Sequence, residues 1–317
     1  MAVNQKQVAE RVGVSISLVS RVLSGTARDI GISDATIERV LQAVDEMGYV
    51  PNVAAQTLKG KPSNTIGVVV YDFQDPFFGS TIEQLQSTAH DQGYSLVLTG
   101  FQGRHPEGSD LTPLHKHTID GLVVLGSSDQ SEWLDSFRHL PVVRVGHGIS
   151  TEQCVCVSID EADAAEQLLQ HIASRGSDRC VFIGSNLYVH DLRSQALEAA
   201  AKSLGMPLQK MITSSRGFGA GFQITNTLLS ETASPPALVC ATDIIAMGAL
   251  HALNDAGLRW PVTGFDDIPA AAQFIPSITT IQQPIEALIE RAFRAVMAPD
   301  TPSEILLKGR LVVRSST

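Results

Sequence analysis

Residues 4–25 read NQKQVAERVGVSISLVSRVLSG. Asn4, with Gln7 three positions on, forms a variant capping box that starts a helix over 4–12 and sets Val8, Ala9 and Val12 on one face. Gly13 stops it. Ser15 then caps a second short helix, 16–23, whose Val19 and Leu23 stand one turn apart. Two short helices about a glycine-containing turn predict a helix-turn-helix. A loop through Gly25, Arg28 and Gly31 leads to Ser33, which caps a third helix carrying Ile37, Val40, Leu41 and Val44 before Gly48 ends it. The three helices make a small bundle, because roughly 60 residues bury only a marginal core.

Beyond it, Pro51 and Asn52 open VAAQTLKG (53–60), a segment too short to be a stable helix alone and able to fold only when something packs against it. From Thr65 the pattern changes to strand-like apolar runs. They read IGVVV (66–70), SLVLTG (95–100), GLVVLG (121–126), PVVRVG (141–146), CVFIGS (180–185), ALVCAT (237–242) and VTGFDD (262–267). Between them lie helical stretches such as 80–92, 162–175, 193–204, 221–230 and 244–256. Continuous apolar strands alternating with amphipathic helices predict parallel sheet covered on both faces. The length from 65 to 317 suits two such sheets facing each other across a cleft, with ligands at the carboxyl ends of strands. The expected fold is therefore α/β: an all-α bundle plus a two-lobed core of doubly wound parallel sheets. The expected divisions are 1–50, a hinge and linker over 51–63, and the core over 64–317.

With 44% hydrophobic and 18% charged residues, the chain is globular rather than disordered. Its net charge of −10 argues at first against a nucleic-acid partner. The charge is unevenly placed, however: the first 62 residues carry seven Lys/Arg against six Asp/Glu, and the remainder 16 against 27. The acidity belongs to the large domain and says nothing of what the small one touches. Cys154, Cys156, Cys180 and Cys240 lack metal-type spacing and a secretory framework, and read as reduced core thiols. The start of the chain lacks the apolar stretch of a signal peptide, and no apolar run is long enough to span a bilayer, so the expected location is cytoplasmic.

VAERVGVSISLVSRVLSG (8–25), GYVPNVAAQTLKG (48–60), NTIGVVVYDFQDPFF (64–78), TIDGLVVLG (118–126), ATDIIAMGALHAL (241–253) and GFDDIPAAAQFIPSITTIQQP (264–284) resemble, in order and spacing, the lactose-repressor (LacI/GalR) family of DNA-binding regulators. The resemblance implies a periplasmic-binding-protein-like core and a second helix lying in the major groove, where Ile16, Ser17 and Arg21 fall among the base-reading positions. Arg21 suits a bidentate pair to guanine. Ile16 is either a contact to a thymine methyl or a core residue. Asn4, Ser15 and Ser20 join the DNA-facing set, while Leu18 stands where the family often has a small hydroxyl residue. The resemblance further implies that 53–58 becomes a hinge helix paired with its copy in a homodimer, with Asn52 and Ala55 at the DNA and Leu58 wedged into the minor groove of a palindromic operator. The alternative is a plain linker. The GTARDIGISD loop is longer than the usual family turn, and its Arg28 either reaches a phosphate or is a solvated charge.

For the effector, the resemblance points to Asp75, Phe77, Phe78, Ser127, His147, Arg193, Arg216 and Asp266. Arg193 matches an arginine that opens the helix after CVFIGS, and Asp266 the first Asp of GFDD; the two converge on a polyol. Phe77 or Phe78 is alternatively core. Arg216 stands where relatives carry a stacking aromatic, with Phe218 two residues away; a second basic group favours an acidic ligand such as a sugar acid or sugar phosphate. The segment between Trp260 and Val262 is shorter than usual for the family. The implied function is a repressor of carbohydrate-utilisation genes, allosterically controlled by a sugar-type effector. Alternatives are a purine or nucleoside effector, or a small-molecule binder with no DNA role.

An enzyme is the rival class. No P-loop, G-x-G-x-x-G or G-x-S-x-G follows a strand, and no nucleophile stands with its base. His115 and His117 form an H-x-H, but LTPLHKHTIDG reads as the end of a helix or a loop and the pair as solvated. No catalytic residue, metal, cofactor or membrane contact is expected. A periplasmic sugar-binding protein would need a signal peptide and has no use for residues 1–60. The chain ends without a heptad tail, which favours a dimer over a tetramer.

Overall fold

The computed structural model describes residues 3–49, 62–101, 103–104, 106–150, 154–231, 234–298, 302 and 304–317. The chain divides into two compact units, 1–63 and 64–317.

In the first unit, α1 (Gln5–Val12) begins at Asn4 with both halves of the capping box formed, and Gly13 closes it in the left-handed conformation. The Ser15 hydroxyl accepts from the Leu18 N–H to start α2 (Ile16–Leu23). α3 (Asp34–Glu46) follows a single 3-10 turn at Arg28–Ile30. Val8, Ala9, Val12, Val19, Val22 and Val40 form the shared core. Ile16 is 47% exposed, so it is not part of that core. Leu18, by contrast, packs on the core. Arg28 is tied to Asp34 by an exposed ion pair, Nε to Oδ1 at 2.9 Å.

The second unit contains two parallel sheets. The first lobe has β1 (Thr65–Val70), β2 (Ser95–Gly100), β3 (Gly121–Leu125), β4 (Val142–Val145), β5 (Cys154–Ile159) and β11 (Glu304–Leu307), in the order β11-β5-β4-β3-β1-β2. One face is covered by α4 (Pro76–Asp91) and α11 (Ile285–Met297), the other by α5 (Gly108–Lys116). The second lobe has β6 (Cys180–Ser185), β7 (Leu208–Thr213), β8 (Ala237–Cys240) and β9 (Val262–Thr263), in the order β7-β6-β8-β9. It is packed by α6 (Glu161–Ser174), α7 (Tyr188–Leu204), α8 (Gly217–Glu231), α9 (Asp243–Asp255) and the short α10 (Pro269–Gln273). β10 (Thr280–Gln282) and β12 (Arg310–Val312) form a separate antiparallel pair.

Several boundaries move from their expected places for local reasons. VTGFDD leaves the ladder after Thr263, because Asp266 and Asp267 take φ of 107° and 56°, which an extended strand cannot accommodate. ALVCAT ends at Cys240 because Thr242 turns to cap α9. α4 starts four residues before the expected Ser80, with Asp75 as its cap and Pro76 in the first turn, which pre-sets helical φ. α7 starts at Tyr188, so Arg193 lies on its second turn rather than opening it. β5, β7, β10, β11, β12, α5 and α11 are additional to the strands and helices read from periodicity. β7 is an edge strand of mixed exposure and carries little apolar signal.

The chain passes between the lobes three times: after Ile159, after Gln282 and between Leu307 and Arg310. The three passages pack on one another. The Asp160 N–H donates to the Leu307 carbonyl, and Gln167 on α6 donates to the Gly309 carbonyl and accepts from the Leu311 N–H. A Cβ on Gly309 would sit 2.7 Å from both Ile159 Cδ1 and Ile281 Cγ2, so a larger residue must displace these packed side chains. Gly309→Val should therefore lower stability by about 1 to 3 kcal/mol, read as a reduced urea midpoint.

Candidate functional site

A cavity of about 1110 Å³ opens between the lobes of the second unit. All eight residues expected at the effector line it: Asp75, Phe77, Phe78, Ser127, His147, Arg193, Arg216 and Asp266. The lining also includes Tyr71, Asp72, Glu161, Tyr188, His190 and Gln283, which sequence reasoning missed.

From the first lobe, capping places Asp75: its Oδ1 accepts from the Phe77 N–H at 3.0 Å, leaving Oδ2 without a backbone partner. Phe77 and Phe78 follow at once on the first turn of α4, edge-to-face with centroids 5.5 Å apart. Phe78 is buried in the lobe's core, while half-buried Phe77 touches the cores of both lobes. Both residues thus line the cavity and contribute to packing. Ser127, at the end of β3, accepts from the His147 N–H at 2.9 Å. Burial raises the Asp75 carboxyl.

From the second lobe, Arg193 is buried and heavily engaged. Its Nε and Nη2 donate to the two Glu161 oxygens, each at 2.9 Å, and Nη1 donates to the Ala241 carbonyl. The guanidinium carbon lies 3.3 Å from the Phe265 ring centroid. A guanidinium has five N–H groups, so one on each terminal nitrogen remains for a ligand. Burial pushes the Glu161 carboxyl up, but Arg193 and His147 together more than reverse this and hold it below its ordinary value. His147 Nε2 is 3.4 Å from Glu161 Oε1, so the first lobe reaches the same carboxylate. Asp266 accepts from Gln283 Nε2 at 2.7 Å, and burial holds its carboxyl well above the ordinary range. His190 Nδ1 accepts the Ser185 N–H, and burial with nearby Arg193 lowers its pKa to about 3. His190 is therefore neutral, with its proton on Nε2.

Arg216 reaches across the cleft, and its Nη2 donates to the Gly103 carbonyl at 2.8 Å, which also accepts the Tyr71 hydroxyl at 2.9 Å. The wall around Arg216 holds more carboxyl groups than arginines. Six carboxylates (Asp72, Asp75, Asp129, Glu161, Asp191, Asp266) line it against three arginines (Arg104, Arg193, Arg216). Of these arginines, Arg104 is paired with Asp110 and Arg193 with Glu161. Phe218 does not supply a stacking ring to the cavity; it lies half-exposed on α8 beside Phe222 and His251.

On the first unit, Ile16, Ser17 and Arg21 are exposed on α2, with Ser20 half-buried, and Ser15 is exposed at its N-cap. Ser17 and Arg21 lie one turn apart on one face. The Asn4 and Ser15 oxygens serve as helix caps, leaving their donor groups for a further partner. Asn52, Ala55 and Leu58 lie outside the described residues. His115, in the last turn of α5, stacks one ring face on Phe137 at 4.8 Å, while both it and His117 remain exposed, as expected of a solvated pair. Among the described residues no group of three or more His, Cys, Asp or Glu is placed to hold a metal, and no helix is long and apolar enough to cross a membrane.

A three-helix unit with an exposed polar second helix, joined to a two-lobed α/β core with a cleft, defines a ligand-responsive DNA-binding regulator. Residues 5–52 match the bacterial regulatory proteins of the lacI family, and residues 169–317 match the periplasmic binding protein-like domain. The HTH-type transcriptional repressor PurR of Haemophilus influenzae (strain PittEE) is 29% identical over 332 residues, covering 98% of this chain and 97% of that protein. The Lac repressor dimer bound to operator and the anti-inducer ONPF superposes with a TM-score of 0.85 at 24% identity, covering 100% of this chain and 99% of that one. A LacI family regulator from Enterococcus faecium solved with bound ribose gives 0.71 at 22% identity, over 80% of this chain and 98% of its own. The chain belongs to the lacI family and is a DNA-binding transcriptional repressor.

Two outcomes follow from the cleft's charges. Arg193→Ala leaves Glu161 buried without its partner and should lower stability by about 3 to 5 kcal/mol in urea unfolding. Behind the cleft, burial raises the Asp243 carboxyl from 3.8 to about 7. A carboxyl whose folded value is raised adds stability that is full below the unfolded value and is lost as pH rises through the folded one. Urea midpoints should therefore fall between about pH 4 and pH 7, and Asp243→Asn should flatten that fall.

Proposed function

We propose that this repressor controls carbohydrate-utilisation genes and that its effector is a neutral, polyhydroxylated sugar-type molecule held between the lobes. The observation that carries this reading is the cavity wall, with carboxylates in excess of arginines beside aromatic rings. Asp75 and Asp266 exchange hydrogen bonds with hydroxyl groups, their raised carboxyls being able to donate as well as accept, the remaining Arg193 N–H groups donate to ring or hydroxyl oxygens, and Phe77 faces the apolar side of a sugar ring. The ribose bound by the Enterococcus faecium regulator supports the reading, since that protein shares the fold. A purine or nucleoside is the second reading, favoured by the relatives that carry the name PurR.

On this reading the protein is a cytoplasmic homodimer on a palindromic operator. Ile16, Ser17, Ser20 and Arg21 read bases or flanking phosphates, Asn4 and Ser15 meet the backbone, and Asn52, Ala55 and Leu58 belong to the hinge. Effector binding shifts the balance between two arrangements of the lobes by its differential affinity for them. The Arg216–Gly103 contact across the cleft is one contact that such a shift would make or break.

Thermal unfolding of the full chain against neutral sugars, sugar acids, sugar phosphates and purines tests the effector. Neutral sugars should raise the midpoint, a ligand at 100 times its Kd adding about 2.7 kcal/mol to the native state. Asp266→Asn should abolish the shift. A shift from sugar acids or phosphates alone would overturn the neutral-ligand reading, and a shift from purines alone would establish the second. For DNA, Arg21→Ala should weaken operator binding by about 1 to 3 kcal/mol in fluorescence anisotropy while leaving non-specific binding nearly unchanged.

A further inference from the structure

Arg144, on β4, is 2% exposed, and its Nε has no hydrogen-bond partner. Nη1 donates to the Gly126 carbonyl, but the guanidinium joins none of the ion pairs among the described residues. A buried cation is normally paired. Strand register shows what lies beside it. Arg144 is in register with Cys156 on β5, and Val142 with Cys154. Residues two apart on a strand share a face, so both thiols stand on the arginine's side of the sheet, the face that packs on Phe101 and Trp133. Glu304 on β11 is in register with Cys156 from the other side, but its side chain is exposed. Arg144 also lines a cavity of about 20 Å³ with Phe101, Arg104 and Trp133, room enough for a water-sized molecule.

We propose that Cys154 and Cys156 together carry the counter-charge of Arg144 as a thiol–thiolate pair, and that this pair is a modification site for small peroxides. The proton distribution agrees with this. The hydrogen bond with Cys154 holds the Cys156 thiol below its ordinary value despite burial, with Ser150 and Arg144 assisting, while the same contact pushes Cys154 up. A thiolate beside a cation is the nucleophilic form. The Cys156 thiolate attacks one peroxide oxygen, the O–O bond breaks, and the departing hydroxide takes a proton, giving sulfenic acid and water. The Cys154 thiol then attacks that sulfur and a second water leaves. Two thiols have lost two electrons to one peroxide and one S–S bond has formed.

The bridge also bends the strand. Residues two apart on a regular strand have Cα atoms about 6.6 Å apart, near the upper limit for a disulfide, so closure draws β5 in. β5 runs directly into Glu161, the partner of Arg193 in the cleft.

Cys180 and Cys240 are internal controls, equally buried in the second lobe and with thiols pushed up by desolvation. The full chain is treated with hydrogen peroxide, quenched, denatured, alkylated and mapped by mass spectrometry. Cys154 and Cys156 should convert together to a disulfide about tenfold faster than Cys180 or Cys240 are oxidised. In Cys154→Ser, Cys156 should instead trap a 1,3-dione as its sulfenic acid. Oxidation of all four at one rate, or of Cys180 and Cys240 first, would overturn the proposal, and neither outcome requires a variant to fold.

Discussion

A buried carboxylate–guanidinium pair, Glu161 with Arg193, fixes the floor of the cleft. Removing two charges from water is costly, and the pair is tolerable only because nearly every polar atom in it is engaged. Arg193 holds both Glu161 oxygens and the Ala241 carbonyl while its plane lies on Phe265. His147 approaches the same carboxylate from the first lobe. Both partners belong to the second lobe, and Glu161 follows β5 just after the first passage, so the contact that spans the lobes here is the one from His147. The pair therefore links ligand chemistry to lobe geometry.

The three passages give that geometry its limits. They are packed through Ile159, Ile281 and Gly309 and joined by the hydrogen bonds of Gln167, which tie the three segments to one another. The cleft walls are anchored close by. Asp266 hangs from the parallel bridge to Gln282, and Asp267 is clamped by Arg314 and Gln282. Their positive φ values turn both side chains away from the ladder direction, an arrangement that costs backbone strain and persists because the surrounding contacts require it.

Charge separates the two units chemically. The small unit keeps its few acids at helix surfaces and presents Ser17 and Arg21 to solvent, while the large unit concentrates carboxylates in its cleft. One chain thereby offers a polar, cation-bearing helix face suited to DNA and an acceptor-rich pocket suited to donors. The overall acidity hides the first of these.

Much of this was legible in the linear chain because it depends on neighbours three or four positions apart. The capping box at Asn4, the stop at Gly13, the cap at Ser15 and the apolar strand runs are local, and local physics places them. The family resemblance then placed eight residues around one cavity. Tertiary structure decided the rest. Glu161 went unread because β5 was not recognised as a strand and the value of a carboxylate at its end depends on Arg193, 32 positions away. Arg216 looked like a ligand cation, yet it meets the carbonyl of Gly103, 113 positions away, and the wall around it is acidic. Phe218 read as a candidate ring for the pocket, but the helix it starts turns it outward. In each case the sequence determined which group is present, and only packing determined which charges and dipoles surround it, because electrostatic environment is set by distance in space.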